Sequence, residues 1–164
     1  MIRPLQSKDM DIVCDIVNDN WKSVYADYIN KELLGEKGCA DRKERLKKDF
    51  LSGRLENYIY EQDHQVVALL SIGQSEDPDK EGPFEVWRIY LKKAFQRQKI
   101  GSELIRFAEM QAQKEGFREI VIWAFQKNTS AVAFYQKNGY QVDQVKYLDK
   151  PFFAYGVRFQ KTLS

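Results

Sequence analysis

The most informative segment of the chain reads Glu85-Val-Trp-Arg-Ile-Tyr-Leu-Lys-Lys-Ala-Phe-Gln-Arg-Gln-Lys-Ile-Gly-Ser-Glu-Leu-Ile105. Its β-forming residues predict a strand over Phe84–Leu91, and Gly101 and Ser102 lie where a helix begins. The unpaired amides of a helix N-terminus, together with the helix dipole, form a site for an anion. From Val86 to Arg106 only Glu103 is acidic, and six residues are basic: Arg88, Lys92, Lys93, Arg97, Lys99 and Arg106. We therefore predict an anion-binding strand–turn–helix; the alternative is a solvated basic turn in front of an ordinary amphipathic helix.

A second segment follows after one apolar strand and reads Asn128-Thr-Ser-Ala-Val-Ala-Phe-Tyr-Gln-Lys-Asn-Gly-Tyr140. Asn128 can cap a helix here, and Gly139 can supply the left-handed residue that ends it. Tyr135 carries a phenol of pKa about 10, which suits it to protonate a departing thiolate whose conjugate acid has a pKa of about 8.5. The alternative for Tyr135 is a half-buried core position.

The rest of the chain extends this pattern in both directions. Hydrophobic periodicity and turn residues predict the element order β-α-α-β-β-β-α-β-α-β-β over 164 residues. Such an order describes a mixed sheet with helices packed on its faces. We predict that residues 1–164 form a single domain of the α/β (α+β) class.

The composition excludes several classes of function. There are 26 Lys and Arg residues against 24 Asp and Glu residues, and this net charge of +2 is too small for a protein that coats nucleic acid or an anionic membrane. No apolar run approaches the roughly 20 residues that cross a bilayer. His64 is the only histidine and Cys14 and Cys39 lack metal-site spacing, so we expect no metal site. Two reduced cysteines and no signal peptide predict a cytoplasmic protein.

Both quoted segments resemble the motifs of the GNAT superfamily of N-acetyltransferases. The acetyl-CoA motif of that family, Arg/Gln-x-x-Gly-x-Gly/Ala, matches Gln96-Arg97-Gln98-Lys99-Ile100-Gly101, with Lys99 in the place of the first glycine. The next family motif, Asn-x-x-Ala-x-x-Phe-Tyr-x-x-x-Gly-Phe, matches Asn128–Tyr140. The resemblance covers nearly the whole chain. It implies a mixed, mostly antiparallel central sheet flanked by helices, and an N-acetyltransferase that uses acetyl-CoA.

The resemblance also implies the binding site of acetyl-CoA. The backbone of Ile89, Tyr90 and Leu91 would pair with the pantetheine arm, and the amides from Arg97 to Ser102 would hold the pyrophosphate. Lys92, Lys93 or Lys99 would lie near the 3′-phosphate. The remaining implied contacts are Asn128 and Lys137, with Tyr135 as the general acid. The residues expected to bind acetyl-CoA are therefore Ile89, Tyr90, Leu91, Gln96, Arg97, Gln98, Lys99, Ile100, Gly101, Ser102, Asn128, Tyr135 and Lys137.

The acceptor is expected to be a primary amine, which needs a base. An alkylammonium of pKa about 10.4 must lose a proton before it can attack, a cost of about 4.6 kcal/mol at pH 7. Glu85 is our candidate, because strand alternation would place Glu85, Trp87, Ile89 and Leu91 on one face beside the bound thioester. The alternatives are a water relay to another base and an exposed carboxylate at the start of a strand.

The acceptor site is expected between the first two helices and the last hairpin. Trp21, Tyr25 and Tyr28 lie on one helical stripe and are the candidate residues, although the core is the favoured place for Trp21. The acidic stretch Glu76–Glu81 would favour a cationic acceptor such as a polyamine, a lysine or an aminoglycoside, unless it is only a solvated loop.

Other readings of the sequence remain open. A protein N-terminus or lysine is an alternative acceptor, and a GNAT-like CoA sensor with little turnover is an alternative function. A nucleic-acid-binding module is disfavoured by the charge balance. Four aromatic residues near the C-terminus could serve a homodimer as easily as the core: Phe152, Phe153, Tyr155 and Phe159.

Overall fold

A computed structural model describes residues 1–164 as one seven-stranded sheet with four α-helices. The strands run in the order β1-β2-β3-β4-β5-β7-β6, and only the pair β4–β5 is parallel. The predicted element order and the mixed, mostly antiparallel sheet are therefore confirmed. The bounds are β1 Ile2–Pro4, α1 Met10–Val24, α2 Glu36–Ser52, β2 Glu56–Gln62, β3 Gln65–Gln74, β4 Phe84–Leu91, α3 Ile100–Lys114, β5 Glu119–Phe125, α4 Thr129–Lys137, β6 Gln141–Leu148 and β7 Ala154–Thr162.

The helices cover the two faces of the sheet in pairs. On one face, α1 buries Met10, Val13, Cys14 and Val17, whose spacing is that of a single helical stripe, against Leu69 of β3. This face also holds α2. On the opposite face, α3 and α4 pack on a larger core that contains alternate residues of β3, β4, β5 and β7. We call these the α1/α2 face and the α3/α4 face.

The sheet opens between β4 and β5. These strands pair at three positions, Phe84–Ile120, Glu85–Val121 and Val86–Ile122, and beyond them they have no mutual partners. Beyond this point β4 stays paired with β3, and β5 stays paired with β7. The two halves of the sheet therefore diverge. The result is a V-shaped gap whose closed end lies at Glu85.

A β-bulge in β4 changes which side chains share a face. Between Ser71 and Ile72 of β3, the partner on β4 jumps from Arg88 to Val86, so Trp87 is the extra residue. Val86 and Ile89 consequently pack toward the α3/α4 face, whereas Glu85, Arg88 and Tyr90 lie on the α1/α2 face. The predicted common face of Glu85, Ile89 and Leu91 is therefore wrong, because simple alternation does not hold across a bulge.

The far edge of the sheet is apolar. β6 is an edge strand, and Val142, Val145 and Tyr147 on it are exposed together with Tyr155 of β7. Phe159 is fully buried in the core, so it is not available to the dimer surface for which it was a candidate. No helix of the protein has both the length and the hydropathy that crossing a membrane requires.

Candidate active site

The turn between β4 and α3 presents a row of free amides. The backbone N–H groups from residue 97 to residue 102 donate no hydrogen bond to any protein acceptor, and no side chain caps α3. Six consecutive free donors at the positive end of a 15-residue helix form a cradle for a phosphate or pyrophosphate group. The predicted residues Arg97, Gln98, Lys99, Ile100, Gly101 and Ser102 all lie in this cradle.

Two residues of the cradle have left-handed backbone angles. Lys99, at the cap of α3, has φ of 67°, and Arg97 has φ of 63°. A side chain in this conformation costs on the order of 1–2 kcal/mol relative to an ordinary backbone. Lys99 therefore introduces strain at the position where the family motif has its first glycine.

Gly101, the motif glycine that this chain retains, has a different role. A Cβ at Gly101 would lie 3.0 Å from Cζ of Phe134, so the absent side chain lets α3 approach α4 closely. Asn128 caps α4 as predicted, since its side chain accepts a hydrogen bond of 3.3 Å from the amide of Ala131. Lys137 is exposed near the end of α4.

The gap between β4 and β5 exposes strand backbone. The amide of Lys92 donates to the carbonyl of Val67 on β3, so by alternation the backbone groups of Tyr90 also face β3. Those of Ile89 and Leu91 face the gap, where β5 provides no partner. The Leu91 carbonyl already accepts a hydrogen bond of 2.9 Å from the side chain of Asn20 on α1. Ile89 and Leu91 are therefore the positions at which an extended ligand could add like a strand.

Tyr135 lies at the centre of the α3/α4 face. It is 6% exposed, packs against Tyr140 and Phe159, and its hydroxyl makes no hydrogen bond with the protein. Burial, and secondarily the nearby Tyr90 phenol, raises the pKa of Tyr135 above its usual value. The phenol therefore stays protonated at neutral pH and can act as a proton donor.

Glu85 lies at the closed end of the gap with an unpaired carboxylate oxygen. The residue is 5% exposed, and Oε2 is buried without a hydrogen-bond partner. Burial, with the nearby Asp77 carboxylate as the next cause, raises the pKa of Glu85 to about 7. At neutral pH this carboxyl group therefore exchanges readily between its two protonation states, which suits a general base.

Ion pairs partly neutralise the acidic loop beside Glu85. Arg158 of β7 is 3% exposed and binds Asp77, Asp79 and Asp143, and Glu76 pairs with Arg54. These acids are therefore bound to arginines rather than only solvated, and their preference for a cationic acceptor stays a prediction. Arg158 could not be singled out from the sequence, because nothing in the pattern of β7 distinguishes this arginine from a solvated one.

The predicted acceptor residues form part of an aromatic cluster. Ring centroids lie 4.9 Å apart for Trp21 and Tyr25 and 5.9 Å apart for Tyr25 and Tyr28. Phe125, the last residue of β5, and Phe152 join them at 5.0–6.5 Å. Phe125 was not among the predicted site residues, and Phe152 was a candidate for a dimer surface or the core. The hydroxyl of Tyr28 is buried and has no hydrogen-bond partner.

This aromatic cluster lies at the open end of the gap. The indole N–H of Trp21 donates to the hydroxyl of Tyr90, at 3.3 Å, and Arg42 of α2 stacks over the Trp21 ring, 4.3 Å from its centroid. Glu85, Trp123 and Phe125 share the α1/α2 face, so the cluster and the carboxylate lie at two ends of one cleft.

A polar cavity of about 260 Å³ adjoins the turn after β4. Asp19, Asn20 and Ser23 of α1 line one wall, and Lys92, Lys93 and Gln96 line the other. The predicted residues Lys92, Lys93 and Gln96 thus lie on the α1 side of the turn, next to the cradle.

Comparison with known proteins identifies the family. The model of the acetyltransferase (GNAT) family matches residues 10–140. The chain belongs to the GNAT family. It is therefore an N-acetyltransferase that uses acetyl-CoA, as the resemblance implied.

Several relatives share nearly the full length of this GNAT chain. It is 24% identical to the spermidine N(1)-acetyltransferase of Thermoplasma acidophilum over 151 residues, which cover 87% of this chain and 88% of that protein. Its fold is similar to the PaiA N-acetyltransferase of Thermoplasma acidophilum in complex with coenzyme A, with a TM-score of 0.79, 22% identity and coverage of 99% and 98%. It is also similar to a ribosomal-protein-alanine N-acetyltransferase from Brucella melitensis, with a TM-score of 0.76, 20% identity and coverage of 99% of each chain.

Proposed function

We propose that this GNAT enzyme acetylates a small cationic primary amine of the polyamine class, with Glu85 as the base. The buried carboxyl group of Glu85, whose Oε2 has no hydrogen-bond partner, lies on the same face of the sheet as the aromatic cluster and is the observation that carries the proposal. Similarity to a spermidine N(1)-acetyltransferase supports the same acceptor class. Residues 1–164 would act as one domain, since a single sheet includes strands from Ile2 to Thr162.

The residues around the gap fit acetyl-CoA. The cradle from Arg97 to Ser102 supplies donors for the pyrophosphate, with Gln96 beside it, and the backbone of Ile89 and Leu91 can bond the pantetheine arm. The backbone of Tyr90 is paired with β3, so only its side chain would be available to the ligand. Asn128 has a free side-chain N–H₂ at the start of α4, and the exposed Lys137 would lie near the nucleotide. When bound, acetyl-CoA supplies an acetyl group activated as a thioester.

The two candidate catalytic groups lie on opposite faces of the sheet and match the two proton transfers. An acceptor ammonium must lose a proton on the α1/α2 face, where Glu85 can accept it directly or through water. The departing thiolate needs a proton on the α3/α4 face, where Tyr135 holds one. Burial keeps the Tyr135 phenol protonated at neutral pH, whereas Glu85, whose pKa burial raises to about 7, is the ionised base in about half of the molecules at pH 7 and in most of them above it.

The aromatic cluster supports recognition of a cation. Ammonium groups over aromatic rings gain about 0.5–2 kcal/mol, most where the site is desolvated. Tyr25 is half-buried, and burial raises its pKa above the usual value. Trp21, Tyr25 and Tyr28 would therefore bind the amine, with Phe125 as a further wall. Selectivity for cations would come from these rings and Glu85 rather than from the loop acids.

A protein N-terminus is the second candidate acceptor. The structural likeness to a ribosomal-protein-alanine N-acetyltransferase favours it. A peptide acceptor would need an open cleft, whereas Asn30 donates a 2.9 Å hydrogen bond to the carbonyl of Pro151 and ties the α1–α2 loop to the β6–β7 hairpin. This contact would narrow the acceptor end of the cleft, which favours the small amine.

We also propose a homodimer and a cytoplasmic location. The exposed Val142, Val145, Tyr147 and Tyr155 on β6 and β7, together with Phe153, support pairing of two copies through this edge. Sedimentation that shows only monomer at assay concentrations would contradict the dimer. Cys14 and Cys39 are both free thiols, which supports a reducing compartment.

The test is thiol release from acetyl-CoA in the presence of spermidine, an aminoglycoside and a peptide with an N-terminal alanine. We expect turnover with spermidine and loss of most activity in Glu85→Gln. Glu81→Gln is the matched control, because Glu81 is an exposed acid at the end of the same loop. Turnover with the peptide alone would replace the polyamine by a protein acceptor, and an unchanged pH–rate profile in Glu85→Gln would remove Glu85 as the base.

A further inference from the structure

The loop of residues 75–83 is fixed over the closed end of the cleft by a dense set of contacts. Its two ends are joined by the amide of Ser75, which donates to the carbonyl of Pro83 at 2.9 Å. In its middle, Arg158 binds Asp77 at 3.1 Å and Asp79 at 2.7 Å. Lys80 pairs with Glu119 of β5 and with Asp143 of β6. A loop without these contacts would be free to move away from the sheet.

Asp77 is the residue of this loop that is held against the α1/α2 face. One oxygen of its carboxylate accepts hydrogen bonds from the indole N–H of Trp123, at 2.8 Å, and from Arg158. Arg158 is the register partner of Trp123 on β7. Trp123 lies two residues after Val121, which is directly opposite Glu85. The anchors of Asp77 are thus one step along the same face from the unpaired carboxylate.

The ion pairs leave negative charge near Glu85. The cluster holds two cations, Arg158 and Lys80, against four carboxylates: Asp77, Asp79, Asp143 and Glu119. Arg158 therefore divides one positive charge among three acids and only partly neutralises Asp77. A carboxylate beside a second carboxylate is harder to ionise.

The other charges around Glu85 are balanced by partners of their own. On the same face of β4, Arg88 pairs with Asp49 of α2, which also binds Arg54. Arg54 in turn pairs with Glu76 of the loop. The facing positions on β3 and β5, Gly73 and Val121, carry no charge. Asp77 is therefore the least balanced charge that faces Glu85.

We propose that Asp77 is a positioning residue of the reaction: held by Arg158 and Trp123, it sets the pH at which the Glu85 carboxyl becomes available as a base. This inference rests on the proposed role of Glu85. The upward shift of the Glu85 pKa agrees with this proposal, since Asp77 is the largest cause of that shift after burial. The loop would thereby adjust the base to neutral pH without touching substrate.

The first experiment compares pH–rate profiles of kcat/KM for wild type, Asp77→Asn and Asp79→Asn. Asn retains an oxygen that can accept from Trp123 and Arg158, so the loop stays anchored while the charge is lost. We expect the acid limb of Asp77→Asn to move down by about one pH unit, so that activity at pH 6 rises about fivefold relative to its plateau. Asp79→Asn is the matched control, because it removes the same charge from the same arginine at a half-exposed position. Acid limbs that coincide in all three proteins, or that move equally in both variants, would overturn the proposal.

The second experiment needs neither catalysis nor an Asp77 variant. Carboxyl carbon NMR of wild-type enzyme should show an inflection of the Asp77 resonance near pH 7, where Glu85 titrates, and Glu85→Gln should remove that inflection. An Asp77 resonance that does not respond to Glu85 would overturn the inference. If the inflection is present while Glu85→Gln retains the wild-type pH–rate profile, the coupling stands and the base assignment fails.

Discussion

Replacing Lys99 by glycine should stabilise the protein. Lys99 has φ of 67° at the cap of α3, a conformation that costs a side chain about 1–2 kcal/mol and costs glycine little. Glycine adds about 0.4–1 kcal/mol of conformational entropy to the unfolded chain, which offsets part of this gain. The net increase in the free energy of unfolding is about 0.5–1 kcal/mol, or about 1–4 °C in the melting temperature of a domain of this size.

The measurement is thermal unfolding of wild type, Lys99→Gly and Lys99→Ala, with and without CoA. Lys99→Ala is the matched control, because it removes the ammonium group but keeps the strained backbone. Lys99→Gly should melt above Lys99→Ala, and the two should bind CoA alike if the amides rather than the side chain hold the phosphates. Gly101→Ala should lower the melting temperature, since the added Cβ would meet Phe134. A Lys99→Gly variant no more stable than Lys99→Ala would refute the assignment of strain to this residue.

Three further variants test individual groups. Tyr135→Phe should lower kcat by at least about 10²-fold with little loss of stability. Its control is Tyr140→Phe, which removes a hydrogen bond to Glu109 and should lower the free energy of unfolding by about 1 kcal/mol with kcat unchanged. Similar kcat values in the two variants would contradict the role of Tyr135 as the acid. Tyr28→Phe removes a buried unpaired hydroxyl but keeps the ring, so denaturant titration should show about 1 kcal/mol more stability and kinetics an unchanged KM for the amine; a variant no more stable than wild type would contradict the reasoning. For Glu85, a pKa raised from 4.5 to about 7 means that the folded state holds the extra proton, so the Glu85 contribution to stability falls by about 3 kcal/mol as pH rises through this range. Stability curves of Glu85→Gln should lack this decline, and parallel curves would disprove the shift.

Much of the fold could be predicted because its signals are local. The buried stripe of α1, the glycine after α4 and the β-forming residues of β4 each depend on nearby residues alone, and the motif Gln96–Gly101 fixes the turn that holds the cradle. The left-handed angle at Lys99 could not be predicted in this way, because the sequence is compatible with either a positive φ or ordinary helical angles at this position; the structure shows φ of 67°.

The errors concern features that depend on distant partners. The bulge at Trp87 arises from pairing with β3 and moves Glu85 to the face opposite that of Ile89, which period-2 alternation within β4 cannot reveal. Phe125 and Phe152 join the aromatic cluster through the sheet and the last hairpin, far from Trp21 in sequence. Arg158 binds loop acids about 80 residues away, so the acidic stretch has less free charge than its composition indicates.

Amine-dependent thiol release from acetyl-CoA is the measurement that tests the central claim most directly. Calorimetry should first verify that the protein binds acetyl-CoA. The account then predicts saturable release of free CoA thiol with spermidine in wild type and little release in Glu85→Gln. Acetyl-CoA binding without release for any amine would contradict it and would indicate a CoA-binding sensor built on the GNAT fold.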